Sequence, residues 1–104
     1  MQHTITTEDI RDMFAEFYRE FDEVTDYTVR RNPGERSDVT LTLRNGVVIY
    51  ASVADDEDGW NAAVYASADE ARRREYLAHD GDDNMPALQH FVQRYVDQQS
   101  VGVL

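Results

Sequence analysis

At 104 residues, with 41% hydrophobic residues and eleven aromatics, the chain has room for one packed domain spanning 1–104, which excludes a second core and an unfolded interaction tail. The absence of cysteine excludes a disulfide scaffold and thiolate metal or redox chemistry. No apolar run approaches the roughly 20 residues of a membrane-crossing helix, and Met1-Gln2-His3-Thr4 lacks the basic-then-apolar pattern of an export signal, so a soluble, cytoplasmic protein is expected.

The first element in chain order is a helix over Thr7–Asp22. Thr6 or Thr7 caps it, Glu8 and Asp9 sit favourably in its first turn, and Ile10, Met13, Phe14, Phe17 and Phe21 recur at helical spacing. Val24–Arg31 alternates loosely as a first strand and stops at the turn former Asn32-Pro33-Gly34. Asp38–Arg44 alternates strictly, Asn45-Gly46 fits a type I′ turn, and Val47–Val53 is β-branched and aromatic, so strands two and three make a hairpin. Val47, Val48, Ile49, Tyr50 and Ala51 leave the third strand almost no polar side, which marks a central strand partly covered on both faces.

After the acidic connection Asp55-Asp56-Glu57-Asp58-Gly59, Trp60–Ala66 returns as a fourth strand. Ser67-Ala68-Asp69-Glu70 has the form of a capping box and opens a second helix expected to reach His79. The polar link Asp80–Asn84 breaks it. Pro86 suits the first turn of a third helix whose apolar set is Met85, Leu88, Phe91, Val92, Tyr95 and Val96, with the tail after Gln99 loose. The expected fold is α+β: a four-stranded antiparallel meander with helices packed on one face, in the order αββββαα. A homodimer through the sheet would cover a second face that the chain leaves open.

The sequence offers no catalytic constellation. His3, His79 and His90 lack metal-ligand spacing and sit in no nucleophile–base motif, and there is no nucleophile elbow, phosphate-cradling glycine loop or zincin motif. The acids cluster in loops and on one helix face, whereas acid–base chemistry needs carboxylates set in an apolar pocket. Asp80-Gly81-Asp82-Asp83-Asn84 starts like a calcium loop, but Met85 and Phe91 stand where glycine and glutamate are required. The expectation is therefore a non-enzymatic protein with no catalytic residues, no dedicated metal site and no cofactor. A small-ligand site would need a deep pocket near Trp60 and Tyr50.

Charge is the informative quantity. Twenty-one acidic residues face ten basic ones, all arginine, for a net charge of −11. Direct binding to nucleic acid or an anionic membrane needs clustered positive charge, so the natural counterpart is a basic protein surface or a cation. Residues 1–29 hold eight acids against two arginines, and residues 55–70 hold six against none, whereas residues 30–54 are net positive. In the first helix Glu8, Asp12, Glu16 and Glu20 stand four apart, at about 6 Å of helix rise, comparable with successive phosphates of a nucleic-acid strand. Like charges at that spacing cost a few tenths of a kcal/mol each, partly relieved by Arg11 and Arg19. Arg72-Arg73-Arg74 points in three directions and serves to balance nearby acids.

The leading helix, antiparallel meander, two trailing helices, acidic loops and length together resemble the small acidic anti-CRISPR and anti-restriction proteins that act as DNA mimics. Asp26-Tyr27-Thr28-Val29 is similar to the stretch following the first helix of one type II-A anti-CRISPR family. The resemblance implies an inhibitor whose carboxylates occupy the DNA-binding groove of a basic nucleic-acid-binding protein, and it transfers no individual functional residue. The binding residues expected are Glu8, Asp12, Glu16 and Glu20 of the helix and Asp55, Asp56, Glu57 and Asp58 of the acidic loop. The rival expectation is a halophilic or actinobacterial housekeeping domain, dimeric through its sheet, whose acidity is environmental.

Overall fold

A computed structural model describes residues 5–31, 37–53 and 59–101. The elements are α1 (Thr7–Glu20), β1 (Val24–Arg30), β2 (Ser37–Leu43), β3 (Val48–Val53), β4 (Trp60–Tyr65), α2 (Ala68–Arg72), β5 (Ala78–Asp82) and α3 (Met85–Val101). The five strands form one antiparallel sheet in the order β1-β2-β3-β4-β5. The fold is thus the expected α+β type, with one strand more than the expected four.

The core follows from the period-two alternation of the strands. Val39, Leu41 and Leu43 of β2, Ile49, Ala51 and Val53 of β3, and Trp60, Ala62 and Val64 of β4 are all buried. The pairings Leu41 with Ile49, Ala51 with Ala62, and Ile49 with Val64 put them on one face. Onto that face α1 lays Ile10, Phe14 and Phe17, and α3 lays Leu88, Phe91, Val92 and Val96. Each such side chain removed from water contributes about 1.5–3 kcal/mol before the entropy of ordering is set against it. α1 packs over β1, β2 and β3, whereas α3 packs against β5, so the two helices lie side by side over opposite halves of the sheet. Among the described residues, no helix is long and apolar enough to cross a membrane.

Thr6 is the helix cap. Its hydroxyl accepts from the Asp9 N–H at 3.2 Å, and the Asp9 carboxylate accepts from the Thr6 N–H at 3.0 Å, closing a capping box. The β2–β3 turn differs from the expected type I′. Only Gly46 has positive φ there, at 95°. The Gly46 N–H donates to the Leu43 carbonyl at 3.0 Å and the Leu43 N–H donates to the Val47 carbonyl at 2.8 Å. This is a three-residue loop, a type I turn closed by a left-handed glycine. The Asn45 side chain accepts from the Val47 N–H at 3.0 Å, so asparagine works through its amide oxygen and needs no left-handed backbone.

The larger correction concerns residues 73–82. The second helix stops at Arg72, with Arg74 at φ 59° turning the chain. Its residues bury nothing, so no apolar face holds it beyond the capping turn, where the Ser67 hydroxyl accepts from the Glu70 N–H at 3.2 Å. The chain then pairs with β4 as β5, which sequence reading placed partly in the helix and partly in the polar link. β5 has almost no apolar alternation, being Ala78-His79-Asp80-Gly81-Asp82, and is held by its backbone ladder to β4. A Cβ at Gly81 would sit 2.8 Å from the side-chain oxygen of the exposed Asn61, which can swing aside, and 3.2 Å from the Trp60 carbonyl.

The face of the sheet away from α1 and α3 carries Thr28, Thr40, Tyr50, Ala63 and His79 in one cross-strand row. Val48 is buried on this side and Tyr50 half-buried, so the central strand has cover on both faces. Asp38 also lies here, opposite Arg30 and Ser52. Burial pushes its carboxyl above the ordinary 3.8, and Arg30 pulls it part of the way back. A raised folded-state value means that this group's stability contribution is complete below 3.8 and is lost as pH rises through the folded value. Asp38→Asn removes that loss. Urea midpoints from about pH 4 to about pH 7 should show the variant gaining on the parent as pH rises; a variant weaker than the parent at neutral pH would contradict this.

Candidate acidic groove between the two long helices

α1 and α3 do not close against each other, and the space between them is a groove of about 290 Å³ lined by Asp12, Met13, Glu16, Phe17, Glu20 and Phe21 of α1 and Gln89 and Gln93 of α3. Its floor is apolar. Phe17 belongs to the core, with Met13 and Phe21 half-buried beside it, and the rings of Phe17 and Phe21 stand 5.6 Å apart. Its rim is acidic along α1 and amide-bearing along α3, where the Gln93 side chain donates to the Asp97 carboxylate at 2.9 Å.

The four carboxylates expected to act together on α1 are not brought to one place. Four residues exceed one helical turn by about 40°, so the row winds around the helix. Glu8 turns toward the end of β1, where it pairs with Arg31. Its carboxyl is held below the ordinary 4.5, first by its own backbone N–H and then by Arg31, so the stability it contributes is present above 4.5 and lost as pH falls. Asp12 reaches the groove but is engaged by its neighbour Arg11 at 2.9 Å. Glu16 and Glu20, both exposed, have no cationic partner among the described residues. The rim thus offers two unneutralised carboxylates over an apolar floor, with a third already shared. The other four expected binding residues, Asp55, Asp56, Glu57 and Asp58, lie outside the described residues.

Other expected features resolve differently. Arg72 pairs with Asp69 at 3.2 Å and Arg73 with Glu75 at 3.3 Å, so two of the three consecutive arginines balance local acids. Asp80–Asn84 is strand and cap rather than a loop: the Asn84 side chain accepts from the Ala87 N–H at 2.8 Å and caps α3, while the Asp82 carboxylate accepts from the Asp83 N–H and the Asn84 amide. Among the described residues no three His, Asp or Glu side chains converge as metal ligands. His79 and His90 are exposed. Trp60 and Tyr50 share no pocket, because Trp60 points into the core and Tyr50 to the opposite face. Sequence reading missed Gln89 and Gln93. Their spacing of four at the margin of the α3 apolar stripe is the one signal that could have placed them, and it does not say what they face.

No protein-family model, no curated protein and no solved structure matches the chain.

Proposed function

We propose that the chain is a non-enzymatic inhibitor or decoy that docks on a basic nucleic-acid-binding protein through the groove between α1 and α3. The observation that carries this reading is the pair Glu16 and Glu20, without cationic partners among the described residues, on the rim of an apolar floor made by Met13, Phe17 and Phe21. An arginine or lysine side chain suits such a place, because its aliphatic stem covers apolar surface while its charged end reaches the carboxylates. The groove's volume of about 290 Å³ lies at the lower bound of sites that enclose small molecules, which favours side chains of a protein partner over a free ligand. Steered association between opposite charges weakens steeply with ionic strength. An arginine-rich peptide titrated into the protein should therefore lose affinity progressively as salt is raised; affinity independent of salt would remove the electrostatic basis of the proposal.

A second reading is favoured by the acids of the edge strand β5 and the residue after it, Asp80, Asp82 and Asp83, which are exposed and line no part of the groove. On this reading the acidity is an adaptation of the whole surface to a saline interior, and folding stability should rise markedly in molar salt with no basic partner required.

A further inference from the structure

The two ends of the sheet are unlike as pairing surfaces. β5 carries Asp80 and Asp82, whose carboxylates accept from the N–H groups of Gly81 and Asp83 at 2.8 and 2.6 Å, and a strand so acidic repels a second copy of itself. β1 ends the other side with seven residues, Val24–Arg30, that contain no proline and carry charge of both signs. Its pairing with β2 is irregular between Val24 and Asp26 and regular from Asp26 to Arg30, so the bulge that could guard this edge leaves that stretch open.

The hydrogen-bond parity of β1 follows from the β2–β3 turn. The Leu43 N–H donates to Val47, so Leu43, Leu41 and Val39 turn their backbone groups toward β3, and Thr42, Thr40 and Asp38 turn theirs toward β1. Their partners Asp26, Thr28 and Arg30 therefore face β2, and Tyr27 and Val29 present N–H and C=O outward. The Tyr27 N–H confirms this, since it donates to the Asp26 carboxylate at 2.9 Å rather than to a neighbouring strand.

We infer that two copies of the chain pair antiparallel through β1 about a two-fold axis at Thr28, doubling the five-stranded sheet. In this register Tyr27 lies opposite Val29 of the second copy, and both present outward backbone groups, so the ladder closes. Asp26 lies opposite the second copy's Arg30, and by symmetry Arg30 lies opposite its Asp26. Asp26 gives up the Tyr27 N–H to the ladder and takes a guanidinium instead. On the helix-covered face, Tyr27 and Val29 meet their counterparts beside Tyr18, which is 43% exposed and stacks on Tyr27 with ring centroids 5.5 Å apart. Shifting the axis to Tyr27 sets Asp26 against Thr28 and Arg30 against Val24, which leaves neither charge a counter-charge on the second copy. Hydrogen-bond parity admits both registers, and charge selects the axis at Thr28. The pairing is independent of the groove, which opens between α1 and α3.

The test uses the whole chain in enough salt to screen the repulsion between two copies of charge −11. Sedimentation equilibrium should give a reversible dimer. Val29→Pro should give a folded monomer, because the N–H it removes faces outward and takes no part in the β1–β2 ladder. Asp26→Arg and Arg30→Asp should each weaken the dimer, and the two together should restore it. Thr28→Cys places one thiol on the axis of a cysteine-free chain, at a non-hydrogen-bonded pair whose Cα separation of about 4.5 Å suits a disulfide. It should cross-link more than about tenfold faster than Asp69→Cys, through the effective concentration of a preformed pair. A chain monomeric at every concentration, or a dimer indifferent to Val29→Pro and to the charge swap, overturns the inference.

Discussion

Trp60→Ala is expected to destabilise the fold by about 3–5 kcal/mol, a large share of the 5–15 kcal/mol typical of a domain. Trp60 is 2% exposed and stands where β4, β5 and the start of α3 meet. It lies opposite Asp82 in the sheet, its ring centroid is 6.2 Å from that of Phe91, and its indole N–H donates to the Asn84 carbonyl at 2.8 Å. Alanine leaves a cavity and removes the donor to a carbonyl at the helix cap. Thermal unfolding followed by circular dichroism should fall by at least about 12 °C, since each kcal/mol moves the midpoint by about 4–8 °C in a domain of this size. Trp60→Phe keeps most of the packing and loses the hydrogen bond, so it should cost about 1 kcal/mol from that bond and a smaller packing loss. Equal effects of the two variants would mean that Trp60 does not wedge β5 and α3 together.

The second large effect is on binding. Glu16→Lys with Glu20→Lys turns the groove rim from attractive to repulsive for a cationic side chain, while both positions are exposed and the fold should be unaffected. With exposed pairs worth about 0.2–1 kcal/mol each, losing two attractions and gaining two repulsions should weaken an arginine-rich peptide by about 0.8–4 kcal/mol, at least about fourfold. Asp80→Lys with Asp83→Lys changes the net charge equally at β5 and the residue after it and is the matched control. It should reduce affinity only through the overall field. Equal losses in the two double variants would show that the acidity acts in bulk, as the surface-adaptation reading requires.

Much of the fold is legible in the sequence because the strong signals are local. Ile10, Phe14 and Phe17 recur at helical period, and Val39, Leu41 and Leu43 alternate beside Asn45-Gly46, so α1 and the central hairpin follow from periodicity and turn chemistry. β5 does not. His79-Asp80-Gly81-Asp82 has neither β-propensity nor an apolar face, and only the open edge of β4 makes it a strand, a tertiary effect that overrides local preference. The candidate site is half legible for a similar reason. Charge and spacing single out Asp12, Glu16 and Glu20, but the arginine that claims Glu8 comes from the far end of β1. The floor of Met13, Phe17 and Phe21 reads as core until the separation of α1 from α3 leaves it open.

The most direct measurement is a titration of the isotopically labelled protein with an arginine-rich peptide, followed residue by residue by NMR. The account predicts that amide shifts concentrate at Asp12–Phe21 and around Gln89 and Gln93, saturate together, and fade with added salt. Shifts of similar size around Asp69, Asp80 and Asp83, with no preference for the groove, would contradict it.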